Sequence, residues 1–523
     1  MCGSTRSAMP GVPRDDRPPI ALRLLVGLGF AKVLIHALSG WLLAWGYMTD
    51  ELYFLDSVDR LDWGFVDHPP LSVALLAPVR AVLGDSLPAI RLLPALLGAA
   101  TVVLTGILAR ELGGGRVAQG LAALAVVTCP VYLALTNYYS MNPIEQALWP
   151  LCMLLVLHIL GGGSRGWWIV LGALLGIGML NKVSMMWFGL GLAVGLVLTP
   201  HRRWLLTPWP WLAGAITLVL FSPYLWWNAQ HGWPFLEFSR NAAAEKVGAV
   251  TPLDFVLQQV LSMGPNAAPL WLGGLVFMFA SASQRRSRPL AWLFVTVAAL
   301  LIASGSARPH YLAPAFPIGF AAGGRLAEWL GTRSYTRWVP GVAVFLLLLG
   351  FAVGWPLAIP LLSPAATVRY QDALGIRPRE ERERGGLLPM HLGLYLHADA
   401  LLGPLRTVYE SLSPEEQGRV EILTGSFGET GAVNVLGRPL GLPRSIGRHN
   451  SYGLWGPGAA TGDLMIVVHG DENELREWFT ECEKRAVIDC PYCMEQMNSQ
   501  GIYVCRHARR PLAELWPSLK VYR

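Results

Sequence analysis

The sequence predicts a polytopic α-helical membrane protein of about eleven spanning helices, followed by a C-terminal α/β domain. Three observations carry this. Apolar runs of spanning length recur from residue 24 to 362 and then stop. Only 15% of the 523 residues are charged, while 53% are hydrophobic and 21 are Trp, proportions foreign to soluble domains. Arginines gather in alternate short loops between the runs. The mean hydropathy of +0.41 averages over this contrast between an apolar body and a mixed tail.

Residues 1–23 carry Arg6, Arg14 and Arg17 and form a cytoplasmic leader to the first run, 24–46. That run is too long for a signal-peptide core and has no small-residue cleavage site after it, so it reads as an uncleaved span. Further runs lie at 89–109, 117–136, 144–161, 167–182, 183–199, 208–227, 266–283, 290–304, 312–330 and 339–362. Asn181-Lys182 alone divides the pair at 167–199. Arg110 and Arg116, Arg165, Arg202 and Arg203, Arg285, Arg286 and Arg288, and Arg333 and Arg337 occupy every second loop. Positive loops stay cytoplasmic, so the N-terminus is expected inside and the alternate loops outside. The segments 52–63, 70–83 and 252–263 are amphipathic enough to lie along the interface. A net charge of +6 without a compact basic patch argues against nucleic acid as a partner.

The tail, 363–523, reads as an extracytoplasmic α/β domain. Val420 to Thr424 and Leu464 to Val468 predict buried strands, Glu472 to Lys484 a helix, and Ile502 to Cys505 a last strand. Of the seven cysteines, Cys2, Cys129 and Cys152 look incidental, while Cys482, Cys490, Cys493 and Cys505 crowd this tail. An oxidising compartment favours disulfides among them. A redox pair in Cys490-Pro491-Tyr492-Cys493, or zinc held by Cys490, Cys493, Cys505 and His507, is the alternative. Gly425 to Gly431 is a glycine-rich turn into a helix, read as a turn before an anion cradle.

The candidate chemistry falls in the outside loops. Asp50 and Glu51 follow the first span, where carboxylates are expensive to keep without a use. One could serve as general base for a hydroxyl at the water–membrane boundary; a solvated pair is the plain reading. His68, 17 residues after Glu51, precedes two prolines that stiffen the chain. Lys182 could bind a phosphate or simply snorkel. His231 sits between aromatics at a helix end. Arg308, His310 and Tyr311 put a cation and a phenol into an Arg-poor loop, and Asn142 and Glu145 open the fourth span on the same side. Carboxylates to activate a nucleophile and cations to hold a phosphate would then share one face. No metal cluster stands out in the membrane part.

Several ordered motifs resemble one family. Asp50-Glu51-Leu52-Tyr53, Trp63 to Leu71 with its Asp67-His68-Pro69-Pro70, and Arg91-Leu92-Leu93-Pro94 come first. Tyr138-Tyr139-Ser140-Met141-Asn142, Asn181-Lys182, Asn228 to Trp233, and Tyr311 to Pro317 follow. Together they resemble the bacterial branch of the protein O-mannosyltransferase-like glycosyltransferases, family 39 in the usual grouping, which have the GT-C membrane fold. The lipid A aminoarabinose transferase is a relative. The resemblance implies a bacterial inner-membrane enzyme that transfers a sugar from a polyprenyl-phosphate-linked donor. The acceptor would be a hydroxyl of a lipid, glycan or protein, with inversion and without cofactor or metal. It implies Asp50 as catalytic base, with Glu51 beside it. Glu145 becomes the second acid, since some members carry Asp where this chain has Asn142. It implies His68, Lys182, His231, Arg308, His310, Tyr311, Tyr139 and Asn142 as donor phosphate or sugar contacts. A lipid flippase with a soluble binding domain is the rival. That rival predicts paired, broken inverted repeats, and no internal repeat is evident.

Overall fold

A computed structural model describes residues 17–42, 45–246, 250–305, 308–376 and 386–523. Arg6, Arg14 and Cys2 lie outside these, as do positions 43–44 of the first predicted run.

Each of the eleven predicted apolar runs coincides with helix, but many helices are shorter than a straight span needs. Among the described residues five are long and apolar enough to cross a membrane: Leu22–Gly40, Leu87–Glu111, Met141–Leu160, Pro208–Gln230 and Val339–Ala358. The number rises to seven if each of two sharply bent pairs makes one span. At two places a proline marks the break. Run 117–136 divides into Arg116–Thr128 and Pro130–Leu135, because Pro130 has no N–H to continue the ladder and opens a new helix instead. Helix Pro252–Met263 turns by 91° into the following helical pair at Gly264-Pro265, where Gly264 takes φ 84°.

Small residues bring the helices together. A methyl group on Gly274 of helix Ala268–Ala280 would sit 2.1 Å from the Gly319 carbonyl oxygen of helix Phe316–Gly331. Contact that close needs glycine, as in membrane helix pairs generally.

The C-terminal domain holds a five-stranded sheet of order β2-β1-β3-β5-β4. The strands are β1 (Glu421–Thr424), β2 (Ser445–Gly447), β3 (Leu464–His469), β4 (Phe479–Val487) and β5 (Gly501–Ala508). β1 runs parallel to β2 and β3, whereas β5 is antiparallel to β3 and β4. Central β3 is buried at every position, as expected for a strand covered on both faces. The helix expected over 472–484 stops at Trp478, and Phe479 onward becomes β4. Pairing with β5 overrides local helix propensity there. Cys482 lies directly opposite Cys505, and the two form a disulfide with Cα atoms 4.1 Å apart.

Candidate active site

The site begins with helix Thr49–Ser57. Its first turn is closed by the chain itself: the Glu51 carboxylate accepts from the Met48 N–H at 3.0 Å, and the Met48 sulfur accepts from the Asp50 N–H. The same Glu51 accepts two bonds from the Arg91 guanidinium, at 2.9 and 2.7 Å, and one from the Tyr139 N–H at 3.0 Å. Glu51 is fully buried. It is a knot that joins the loop to helix Leu87–Glu111 and to the segment before helix Met141–Leu160. Asp50, one position earlier, faces a cavity of about 1520 Å3.

The far wall of that cavity carries cations and a phenol. Lys182, in extended backbone after helix Trp167–Asn181, donates to Asn142 Oδ1 and Glu145 Oε2, each at 2.9 Å. Its ammonium lies 5.2 Å from the Tyr311 ring centre, within cation–π range. Glu145 is 4% exposed and also accepts from the Ser184 hydroxyl at 2.5 Å. The Arg308–Tyr311 turn is fixed from two sides. Gln259 donates to the Pro309 carbonyl at 3.1 Å, and Tyr132 donates to the Ala313 carbonyl at 2.6 Å. Burial, reinforced by Lys182 and Arg308, holds His310 well below the ordinary histidine range, so its imidazole is neutral.

The structure therefore brings Asp50, Asn142, Lys182, Arg308, His310 and Tyr311 to one cavity. It does not bring the remaining expected residues there. Glu51 and Glu145 are spent on Arg91 and Lys182. His68 is buried between Phe54 and Phe65, with ring centres 4.7 and 4.8 Å away, and its Nδ1 meets the Pro69 carbonyl. Tyr139 donates to the Ser72 carbonyl at 2.6 Å and packs inward. His231 stacks 4.4 Å from Trp227, whose indole N–H donates to Asp62, so it braces the loop from behind.

Their neighbours take the cavity positions. Asp67 lines it in place of His68, and Tyr138 in place of Tyr139. Burial and the nearby Asp50 push the Tyr138 phenol well up, so it stays protonated. The C-terminal domain supplies the roof, including Arg448, His469 and Glu495, which carried no sequence signal. Among the described residues no group of three or more His, Cys, Asp or Glu converges as a metal site would require.

The two tail motifs resolve differently. Cys490 and Cys493 are joined, so with Cys482–Cys505 all four tail sulfurs are oxidised and the zinc reading is overturned. In the glycine-rich turn, the N–H groups of Gly425 and Ser426 both donate to the Glu429 carboxylate at 2.9 Å. The protein's own anion fills the cradle.

Known proteins share this architecture. The profile of the dolichyl-phosphate-mannose-protein mannosyltransferase family matches residues 67–227. The lipid A galacturonosyltransferase RgtD of Rhizobium johnstonii is 25% identical over 349 residues, 66% of this chain and 71% of that protein. The crystal structure of ArnT from Cupriavidus metallidurans bound to undecaprenyl phosphate superposes with a TM-score of 0.58 at 15% identity. That match covers 92% of this chain and 98% of the other. The apo form of the same protein gives 0.55 at 14% identity, over 93% and 98% of the two chains. The profile match, the sequence relative and the shared fold place the transferase reading above the flippase: the chain is similar to membrane glycosyltransferases and has the GT-C fold seen in ArnT.

Proposed function

We propose that the protein moves a sugar from a polyprenyl-phosphate-linked donor to a hydroxyl acceptor, with inversion, on the extracytoplasmic face of a bacterial inner membrane. One observation carries the reading: Asp50 lines the same cavity as Lys182, Arg308 and Tyr311. A carboxylate that can take a proton thus shares a chamber with cations suited to a departing phosphate. The ArnT crystal form with undecaprenyl phosphate supports a lipid-phosphate donor, and RgtD, named for lipid A, favours a glycolipid acceptor. The Arg-rich alternate loops support the orientation.

In this reading Asp50 accepts the proton of the acceptor hydroxyl as its oxygen attacks the anomeric carbon. The bond to the lipid phosphate breaks on the opposite side. Lys182 and Arg308 stabilise the phosphate, and Tyr311 flanks Lys182. Asn142 and Glu145 hold the lysine. Glu51 holds the loop.

The test is transfer in liposomes, with a panel of labelled polyprenyl-phosphate sugars and a cell-envelope extract. Wild type should label an acceptor, and Asp50→Asn should be slower by about 10²-fold or more, as for loss of a general base. Full turnover by Asp50→Asn would remove Asp50 from the chemistry.

A further inference from the structure

The helix that carries Asp50 is gripped by the C-terminal domain. Asp56, six residues further along the same helix, is 2% exposed. It accepts from Asn434 Nδ2 at 2.8 Å, from the Tyr452 hydroxyl at 2.8 Å and from Arg444 at 2.5 Å. All three side-chain donors that reach it among the described residues belong to the C-terminal domain. Tyr53, midway between Asp50 and Asp56, is gripped from the same side. Its hydroxyl donates to Asp67 at 2.8 Å and lies 2.6 Å from the Ser451 hydroxyl, which in turn accepts from the Val66 N–H.

Contact with a second element of the domain is close-packed. Helix Phe427–Ala432 meets the Asp50 helix through two glycines. A methyl group on Gly428 would lie 2.8 Å from the Thr49 side chain, and one on Gly431 would lie 2.8 Å from the Leu52 carbonyl carbon. These contacts bracket Asp50 and leave the helix little freedom to slide or roll. A buried carboxylate without its partners is costly, so the helix reaches this position only with the domain docked.

We propose that the C-terminal domain positions the catalytic base, and that Asp56 is the positioning residue through which it acts. Asp56 is not among the residues that line the cavity. It fixes the axial rotation of the helix that presents Asp50, and through Tyr53 and Ser451 the same grip sets Asp67. The inference rests on Asp50 as base. A displacement of about 1 Å at a reacting group is enough to cost about 10²-fold in rate.

Full-length protein in liposomes tests it with Asp50→Asn, Asp56→Asn and the double variant. Asp56→Asn should lower kcat by about 10- to 100-fold while the KM for the lipid donor stays within about twofold. The double variant should be no slower than Asp50→Asn alone, because a residue that acts through the base has nothing left to act on. Unchanged kcat in Asp56→Asn, or losses that multiply in the double variant, overturns the proposal. If Asp56→Asn does not fold, Tyr452→Phe, which deletes one hydroxyl, is read by the same comparisons. A slow Asp50→Asn beside a fast Asp56→Asn removes the positioning role alone. A fast Asp50→Asn removes the base assignment, and the positioning role with it.

Discussion

Lys182 donates to the Glu145 carboxylate across 2.9 Å, and that contact decides what each residue can do. Its other oxygen is taken by Ser184, so both oxygens of the Glu145 carboxylate are engaged. The lysine keeps its outward side toward Tyr311 and the chamber.

Lys182→Met should therefore cut turnover by about 10²- to 10³-fold, the usual loss for one donor to a developing anion. Glu145→Gln should cost less, and the pair together no more than Lys182→Met alone. Single-turnover rates with the lipid-linked donor measure all three. A Glu145→Gln loss exceeding that of Lys182→Met would return Glu145 to the role of acid or base.

Glu51 and Arg91 form a buried, two-bond ion pair that also anchors Met48 and Tyr139. Truncation by Arg91→Ala leaves a carboxylate uncompensated and should destabilise the protein by about 3–5 kcal/mol. Thermal unfolding in detergent should show a large drop in midpoint for Arg91→Ala and a smaller one for Asp50→Asn. The adjacent carboxylates would thus separate into one for stability and one for chemistry.

Gly431→Ala places a methyl group against the backbone of Leu52, which cannot rotate out of the way. Overpacking of this kind costs about 1–3 kcal/mol. Here the strain falls on the contact between domains, so limited proteolysis should detach the C-terminal domain faster while the helical circular dichroism is retained. Equal protease resistance in variant and wild type would show that the contact is not tight.

Burial opposes the charge on Glu429, yet the His397 contact and the N–H groups of Ser426 and Gly425 outweigh it, so its carboxyl lies below the usual range. A depressed carboxyl contributes stability that is present above its unfolded value and fades as pH falls through the folded one. Glu429→Gln should therefore lower the thermal midpoint at neutral pH. The gap to wild type should close in acid, below pH about 4. A gap that stays constant from neutral pH into acid would mean that the charge on Glu429 carries no weight.

The sequence determined the parts that depend on local pattern. Apolar runs form helices wherever they occur, because backbone groups in lipid must be satisfied within the segment. Asp50, Asn142, Lys182 and the Arg308–Tyr311 turn could be picked out as polar groups beside such runs. Strands β1, β3 and β5 showed in buried apolar stretches. Tertiary structure decided which of two neighbours does the work. Asp50 and Glu51 differ by about 100° around one helix, so one meets the cavity and the other Arg91. In the Asp67-His68 loop, alternate residues likewise point to opposite sides. No local signal distinguishes members of such pairs. The extent of β4 and the roof of the cavity were equally out of reach. β4 is made by its pairing with β5, and the roof by residues far along the chain: Tyr53 meets Ser451 across 398 residues.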